Sequence, residues 1–305
     1  MKANVIWRVM FDVRKNKYLY MMLLPLLAYY LLFHYQPMYG AIIAFKDFSP
    51  RLGILGSPWA GFGHFLNFFQ GAYFWRTIRN TFMISFYDLI FGFPAPIILA
   101  LLLNEVKAQL FKRTVQTITY LPHFISLVVI CGIIKDFTSS SGIINDIIAF
   151  FGGERSSLLL EPGLFRTIYV STDIWQSIGW GTIIYLAALT GIDQEQYEAA
   201  KIDGAGRWKQ MLHITIPGIM PTIVVLLILN LGRMMSLGFE KIILLYNPGV
   251  YETADVISSY VYRVGLQDFN YSFSSAVGLF NSAIGFFLVI SSNWISRKLN
   301  DTSLW

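Results

Sequence analysis

The polar side chains that could do chemistry in this sequence lie within long apolar stretches. Arg233 is the most conspicuous, with Asn230 about one helical turn before it. A guanidinium near the centre of a bilayer costs at least about 2.5–3.5 kcal/mol without compensation. Arg233 therefore needs either a ligand or an internal carboxylate such as Asp88, and both interpretations stay open. A ligand would be anionic, because a guanidinium binds a carboxylate through paired hydrogen bonds.

Aromatic side chains that could bind the apolar faces of the same ligand occur in a neighbouring stretch. They are Trp175, Trp180 and Tyr185. Ordinary packing is the alternative interpretation for each, so these three are weaker candidates than Arg233.

A second set of candidates forms a polar segment at residues 193–217. Asp193 is a good helix N-cap with Gln196 three residues on, and Gly204 suits the left-handed residue that ends a helix. Pro217 suits the first turn of the next helix, where the missing N–H of a proline costs little. We therefore predict two short helices around a glycine hinge, the second from Arg207 to His213.

Small side chains follow Glu198 in the first of these helices, and they let another protein approach closely. They are Ala199 and Ala200, with Asp203 and Ala205 flanking Gly204. A rigid protrusion that seats in a partner fits this spacing. An ordinary amphipathic connector, with Gly204 as a simple stop, fits it equally well.

Catalytic and metal-binding patterns are missing from the sequence. The four histidines have no ligand spacing, and the one cysteine, Cys131, lies in an apolar stretch. There is no Gly-x-x-x-x-Gly-Lys-Ser/Thr phosphate loop, no His-Glu-x-x-His and no Gly-x-Ser-x-Gly. We predict that the chain is not an enzyme, binds no metal or cofactor, and has no ATP site.

The composition indicates a surface that faces lipid. Of 305 residues, 55% are hydrophobic and 13% are charged, whereas soluble domains carry about 25% charged residues. The net charge of +5 comes from basic residues at the ends of apolar stretches, where anionic lipid headgroups are the expected neighbours. We therefore expect membrane lipid, and no nucleic acid, around the protein.

Six apolar stretches are long enough to cross a bilayer, which takes about 20 residues. The fourth is the most polar, and we expect it to line a cavity, because polar groups at membrane depth need protein or water around them. The fold class predicted is an all-α integral membrane protein with six transmembrane helices. The stretches are Tyr18–Tyr35, Thr81–Leu103, Gln116–Ile134, Thr167–Leu189, Ile219–Phe239 and Phe273–Ile295.

The distribution of basic residues predicts the orientation. Lys and Arg are denser in the segments on the side of the N-terminus, which places both termini in the cytoplasm. We expect a cytoplasmic N-terminal segment (1–17), a six-helix transmembrane domain (18–296) and a cytoplasmic tail (297–305). The first basic and apolar segment could imitate a secretory signal, but no small-residue cleavage pattern follows it.

Aromatic residues in the first outer loop fit an interfacial belt better than a ligand surface.

The polar segment resembles the EAA loop of binding-protein-dependent ABC importer permeases. Glu198-Ala-Ala, with Gly204 six residues after the glutamate and Ile214-x-Ile216-Pro217 further on, carries the resemblance. The family pattern ends Ile-x-Leu-Pro, so Ile216 is a conservative departure. Further matches are typical of the oligosaccharide branch of this family: Pro37-Met38-Tyr39-Gly40, Ala44-Phe45-Lys46-Asp47, Asn80-Thr81 and Tyr246-Asn247-Pro248. That branch contains the MalF-like subunits and, more similar to this sequence, the LplB/YteP-type permeases for polysaccharide fragments. Unlike for the maltose subunit, we expect no large outer insertion and no extra N-terminal helices.

The resemblance implies a type I ABC importer permease fold in a bacterial cytoplasmic membrane. It implies that Glu198–Gly204 is a coupling helix, within a loop at about 193–217, that docks on one of two ATPase subunits, which bind ATP and Mg²⁺. It also implies a second, MalG-like permease subunit, an extracytoplasmic substrate-binding protein and an oligosaccharide substrate. Arg233 would then suit an acidic sugar such as a uronate.

A secondary transporter or channel for a polar solute is the alternative. It needs an energy-coupling site inside the membrane, and Asp88, Asp173 and Arg233 offer little material for one. The internal repeats of broken helices that are typical of that class are absent from the sequence.

Overall fold

Long helices form where the sequence has its apolar stretches. The computed structural model describes residues 11–300. Most of the predicted N-terminal segment and tail (residues 1–10 and 301–305) lie outside the described residues. Within the described part, the only β-pairing is an isolated bridge between Lys46 and Trp59. The predicted all-α class is therefore confirmed for residues 11–300.

Five helical segments of the described chain are long and apolar enough to cross a membrane. They are α1 (Lys17–Phe45), α3 (Phe74–Glu105), the pair α5 (Leu127–Thr138) and α6 (Ile143–Phe150), α9 (Arg207–Arg233) and α12 (Tyr271–Asn300). The other helices of four or more residues are α2 (Gly63–Gln70), α4 (Gln109–Tyr120), α7 (Pro162–Thr190), α8 (Gln194–Ile202), α10 (Phe239–Leu245) and α11 (Ile257–Tyr262), with single turns at Gly53–Gly56 and Tyr251–Ala254.

The fourth predicted span forms the continuous 29-residue helix α7 but is not among these five. Its polar residues lower its hydropathy, as expected for a helix surrounded by protein. Helix α7 packs against α3, α4 and α9, so it is attached to three other helices of the bundle. Its buried side chains include Phe165 near one end and Tyr185 near the other.

The third predicted span, Gln116–Ile134, is not one helix. Helix α4 ends at Tyr120, a 3₁₀ turn covers Leu121–Phe124, and α5 begins at Leu127. Pro122 has no N–H to continue the helix. The hydroxyl of Ser126 then caps α5 by accepting a hydrogen bond from the Val129 amide at 3.4 Å. The apolar composition predicted a helix here but could not predict its interruption.

Three of the prolines inside the long helices are each preceded by a π-helical turn. A proline cannot donate to the carbonyl four residues earlier, and its ring collides with that carbonyl. The residue before each proline instead donates five residues back, which widens the preceding turn. The turns are Leu31–Tyr35 before Pro37, Asp88–Gly92 before Pro94, and Met211–Thr215 before Pro217.

Helix α1 stands largely apart from the bundle. Every residue from 17 to 39 is exposed, and only the last turns, Tyr39–Phe45, pack against α12. Ala44 is fully buried at that contact. Most of α1 therefore has no packing partner within the described chain.

The end of the bundle opposite α8 is held together by a buried carboxylate. Asp255 is completely buried, and its Oδ2 accepts hydrogen bonds from Arg76 at 2.8 Å and Arg263 at 2.7 Å. Burial lowers the pKa of Arg263, but the hydrogen bonds and charge of Asp255 raise it above its usual range. Asn80 of α3 also donates to the carbonyls of Glu252 and Asp255, each at 3.0 Å. These bonds fix the segment between α10 and α12 on α3.

Candidate functional site

The polar segment between α7 and α9 folds as a short capped helix. Helix α8 begins after Asp193, whose carboxylate accepts a hydrogen bond from the Glu195 amide at 3.0 Å. Capping of this kind satisfies an amide that has no partner within the helix. Asp193 is the N-cap as predicted, but its bond goes to the Glu195 amide, and the capping-box-like pair with Gln196 that the spacing suggested is not formed in this helix.

Gly204 ends α8 in the conformation that the sequence predicts. Its φ is +75°, a left-handed value that costs an ordinary L-residue about 1–2 kcal/mol. The amide of Ala205 donates to the Ala200 carbonyl at 2.8 Å, and that of Gly204 to the Lys201 carbonyl at 3.1 Å. This pair of bonds is the Schellman motif. It gives the loop one fixed turn and leaves Gly204 exposed with open space around it.

The loop is attached to α9 by side-chain hydrogen bonds. Gln210 donates from Nε2 to the Ala205 carbonyl at 2.7 Å. The hydroxyls of Tyr197 and Thr215 share a hydrogen bond of 2.9 Å. Helix α8 and the start of α9 therefore form one stiff unit.

The predicted separate helix from Arg207 to His213 is wrong, because these residues are the first turns of α9. Pro217 accordingly lies within α9 rather than at its start. The π-helical turn before Pro217 lets the helix continue, which sequence-based reasoning about proline at a helix start did not foresee.

The loop presents a surface that has no partner in the described chain. Glu198, Ala199, Asp203 and Gly204 are exposed, while Ala200 and Ala205 are half-buried. Two large apolar side chains that the sequence analysis overlooked are also exposed, Ile202 by 87% and Trp208 by 75%. The sequence signal that could have predicted this exposed surface is the presence of an apolar residue on each side of the glycine turn. Because the loop around them is polar, Ile202 and Trp208 are candidates for contact with another protein.

A cavity of about 360 Å³ lies further along the bundle, where α9 ends and α10 begins. It contains three of the predicted residues, Asp88, Asn230 and Arg233. Side chains from α3, α7, α9 and α10 line it together with the connection between α9 and α10. The other polar lining residues are Ser85, Tyr169, Asp173, Gln176, Ser236, Glu240 and Lys241.

Arg233 and Asp88 do not form an ion pair with each other. Among the described residues, every ion pair within 4.0 Å joins other groups, and Arg233 is exposed to the cavity. The Asp88 carboxylate packs over Gly92, where any Cβ would collide with it. The structure therefore brings both charges to one cavity without pairing them, so both are available to a polar ligand.

Lys241 is paired instead, with Asp173 of α7. Its ammonium donates to Asp173 Oδ1 at 3.0 Å and to the Tyr169 carbonyl at 3.3 Å. It also lies 4.7 Å from the centre of the Tyr169 ring. Lys241 lies just beyond the predicted span Ile219–Phe239, and nothing in the local sequence shows that the chain folds back there as α10 against α7.

The predicted aromatic residues lie elsewhere. Trp180 stacks on His123 with ring centres 4.5 Å apart, at the interruption between α4 and α5. Trp175 borders a groove between α5, α6 and α7. Tyr185 is buried in an apolar cluster with Ala100 and Ile219. None of the three lines the cavity of Arg233, and Tyr169 is the aromatic residue that does.

A bundle of apolar helices with a polar cavity and an exposed stiff loop defines a membrane transport subunit. The family described as "Binding-protein-dependent transport system inner membrane component" matches residues 92–301, and the chain belongs to this family. It is thus a multi-pass ABC importer permease of the bacterial cytoplasmic membrane, as predicted.

Individual relatives match over nearly the whole chain. Protein LplB of Bacillus subtilis is 47% identical over 294 residues, which are 96% of this chain and 92% of that protein. The polygalacturonan/rhamnogalacturonan transport system permease protein YteP of the same organism is 46% identical, over 98% of this chain and 93% of its own. A chain of a bacterial alginate ABC transporter, crystallised with an alginate pentasaccharide-bound periplasmic protein, superposes with a TM-score of 0.90. It is 44% identical, and the match covers 97% of this chain and 100% of that chain.

Proposed function

We propose that this chain forms half of the translocation path of an ABC importer for oligosaccharides, acidic fragments included. The observation that carries the proposal is the cavity, where unpaired Arg233 and Asp88 lie beside the amide groups of Asn230 and Gln176. A guanidinium suits a sugar carboxylate, and carboxylates and amides suit sugar hydroxyls. The relatives named for polygalacturonan and alginate transport support the same substrate class.

The energy for transport comes, in this proposal, from two partner ATPase subunits. The exposed face of α8 around Gly204, together with Ile202 and Trp208, docks on one of them. Because α8 is bonded to the start of α9, a displacement of α8 is transmitted to a helix that reaches Arg233. The chain itself carries no phosphate loop, so ATP and Mg²⁺ are bound by the partners.

A second permease subunit completes the membrane part. Residues 17–39 of α1 are exposed along their whole length, so α1 projects toward something other than this bundle. A distinct, MalG-like chain that packs against α1 accounts for this. With α7 counted as a sixth span, both termini lie on the same side as α8, in the cytoplasm.

Reconstitution tests the proposal. The complex of this chain, a second permease, the ATPase and the binding protein is placed in proteoliposomes, and uptake of oligogalacturonates and of a neutral oligosaccharide is measured. We expect uptake that requires ATP and the binding protein. Uptake by this chain alone, driven by an ion gradient, would instead establish a secondary transporter.

A further inference from the structure

Lys241 is an almost completely buried charge at the wall of the transport cavity. It is 4% exposed, and its ammonium already contacts Asp173, the Tyr169 carbonyl and the Tyr169 ring. A buried charge is expensive unless it is paired and hydrogen-bonded. The Asp173 side chain, in contrast, is 39% exposed. Lys241 therefore acts on the cavity through Asp173 rather than by contacting a ligand.

The Lys241–Asp173 ion pair also helps to hold the stretch of chain that follows Arg233. Helix α9 ends at Arg233, the chain is irregular through Met234–Gly238, and α10 begins at Phe239. Ser85 of α3 donates a hydrogen bond to the Met234 carbonyl at one side of this irregular stretch. Lys241 anchors the other side to α7. The position of Arg233 thus depends on two attachments, of which Lys241–Asp173 is the ionic one.

The charges around the cavity give this pair a second effect. The acids that line it are Asp88, Asp173 and Glu240, and the bases are Arg233 and Lys241. If Lys241 were neutral, Arg233 alone would face three carboxylates. An acidic sugar would then meet an unfavourable potential in a low-dielectric site, where charges interact more strongly than in water.

We infer that Lys241 is a positioning and selectivity residue for acidic substrates. It cancels the charge of Asp173 and holds the irregular stretch beside Arg233, which leaves Arg233 able to bind a sugar carboxylate. This inference rests on the proposed transport of oligosaccharides. In this inference, Lys241 makes the cavity discriminate between acidic and neutral oligosaccharides although its side chain contacts neither kind of substrate.

Charge variants in the reconstituted complex test the inference, with trigalacturonate and a neutral trisaccharide as substrates. Lys241→Met is expected to raise the KM for trigalacturonate about tenfold while the maximal rate stays within about twofold. Asp173→Asn, whose amide oxygen can still accept from Lys241, is expected to lower that KM. The double variant Asp173→Asn/Lys241→Met restores the charge balance but lacks the ionic attachment, so its KM is expected to lie between those of Lys241→Met and the wild type. Lys135→Met, which removes an exposed charge of α5, is the control and is expected to change neither constant.

Opposite shifts for the two single variants and rescue in the double variant are the results that support the inference. It is overturned if Lys241→Met leaves the KM unchanged, or if the double variant is as impaired as Lys241→Met. If the complex with Lys241→Met does not assemble, Asp173→Asn decides alone. A KM for trigalacturonate in Asp173→Asn that is not lower than that of the wild type then overturns the inference. Absence of any saccharide uptake by the wild-type complex would overturn the proposed function instead.

Discussion

Replacing Gly204 separates the shape of the exposed loop from its contacts with a partner. The φ of +75° at this position costs a β-branched residue about 1–2 kcal/mol or more, whereas asparagine tolerates it. No atom outside its chain neighbours lies within 4 Å of a Cβ built there. Gly204→Asn should therefore keep the turn and the stability of the chain but place a side chain on the proposed docking surface. Gly204→Val should in addition strain the turn.

Gly152 provides a matched control, because its φ is +85° and it also has open space around it. We expect Gly152→Val and Gly204→Val to lower the unfolding temperature by similar amounts. Only the two Gly204 variants should reduce the ATPase subunits retained on affinity-purified permease and the ATP hydrolysis stimulated by the binding protein. Normal retention and stimulation in Gly204→Asn would refute docking at this surface. Loss of activity in Gly152→Val would show that backbone strain alone explains the effect.

Three further predictions test the cavity, the docking surface and the opposite end. Arg233→Ala should raise the KM for acidic oligosaccharides about tenfold or more, because a hydrogen bond to a charged group contributes about 1.5–3 kcal/mol. Unchanged uptake by assembled complexes would contradict a ligand role for Arg233. Trp208→Ala should weaken binding of the ATPase subunits without lowering the unfolding temperature of the chain. Trp75, which is equally exposed at 75%, provides the control, and Trp75→Ala should change neither quantity. Equal losses of ATPase binding in the two variants would contradict docking through Trp208. Asp255→Asn should destabilise the chain by about 3 kcal/mol, because it removes the buried charge that pairs the half-buried guanidinium groups of Arg76 and Arg263. Thermal unfolding in detergent measures this, and a shift no larger than that of Glu252→Gln, whose ion pair is exposed, would contradict it.

The helical class and the turn at Gly204 could be predicted because their causes are local. A stretch of apolar residues long enough to cross a bilayer must satisfy its own backbone hydrogen bonds, so it forms a helix. A glycine after a polar helix is the residue that best adopts a left-handed end. The cap at Asp193 has a similar local origin.

The composition of the cavity could not be predicted, because it depends on contacts between distant segments. Lys241 and Asp173 are separated by 68 positions, and only the return of α10 against α7 brings them together. Tyr185 illustrates the reverse error. It seemed a candidate for a ligand surface, but helical rotation turns it into the cluster with Ile219. Three aromatic residues on one helix were thus given one role although they point in different directions.

Helix α9 offers a physical route between the two candidate regions. Its 27 residues span about 40 Å at 1.5 Å per residue, with the bonded loop at one end and Arg233 at the other. The π-helical turn before Pro217 is one place where this helix lacks regular hydrogen bonds, and Pro221, which has no N–H, is a second; both lie toward the loop. Beyond Pro221 the helix is continuous to Arg233, so force applied at α8 either bends α9 near these two prolines or moves Arg233. The bond between Tyr197 and Thr215 spans from α8 to the last residue of the π-helical turn and stiffens it. Under the proposed coupling we therefore expect motion of the loop to shift Arg233 within the cavity.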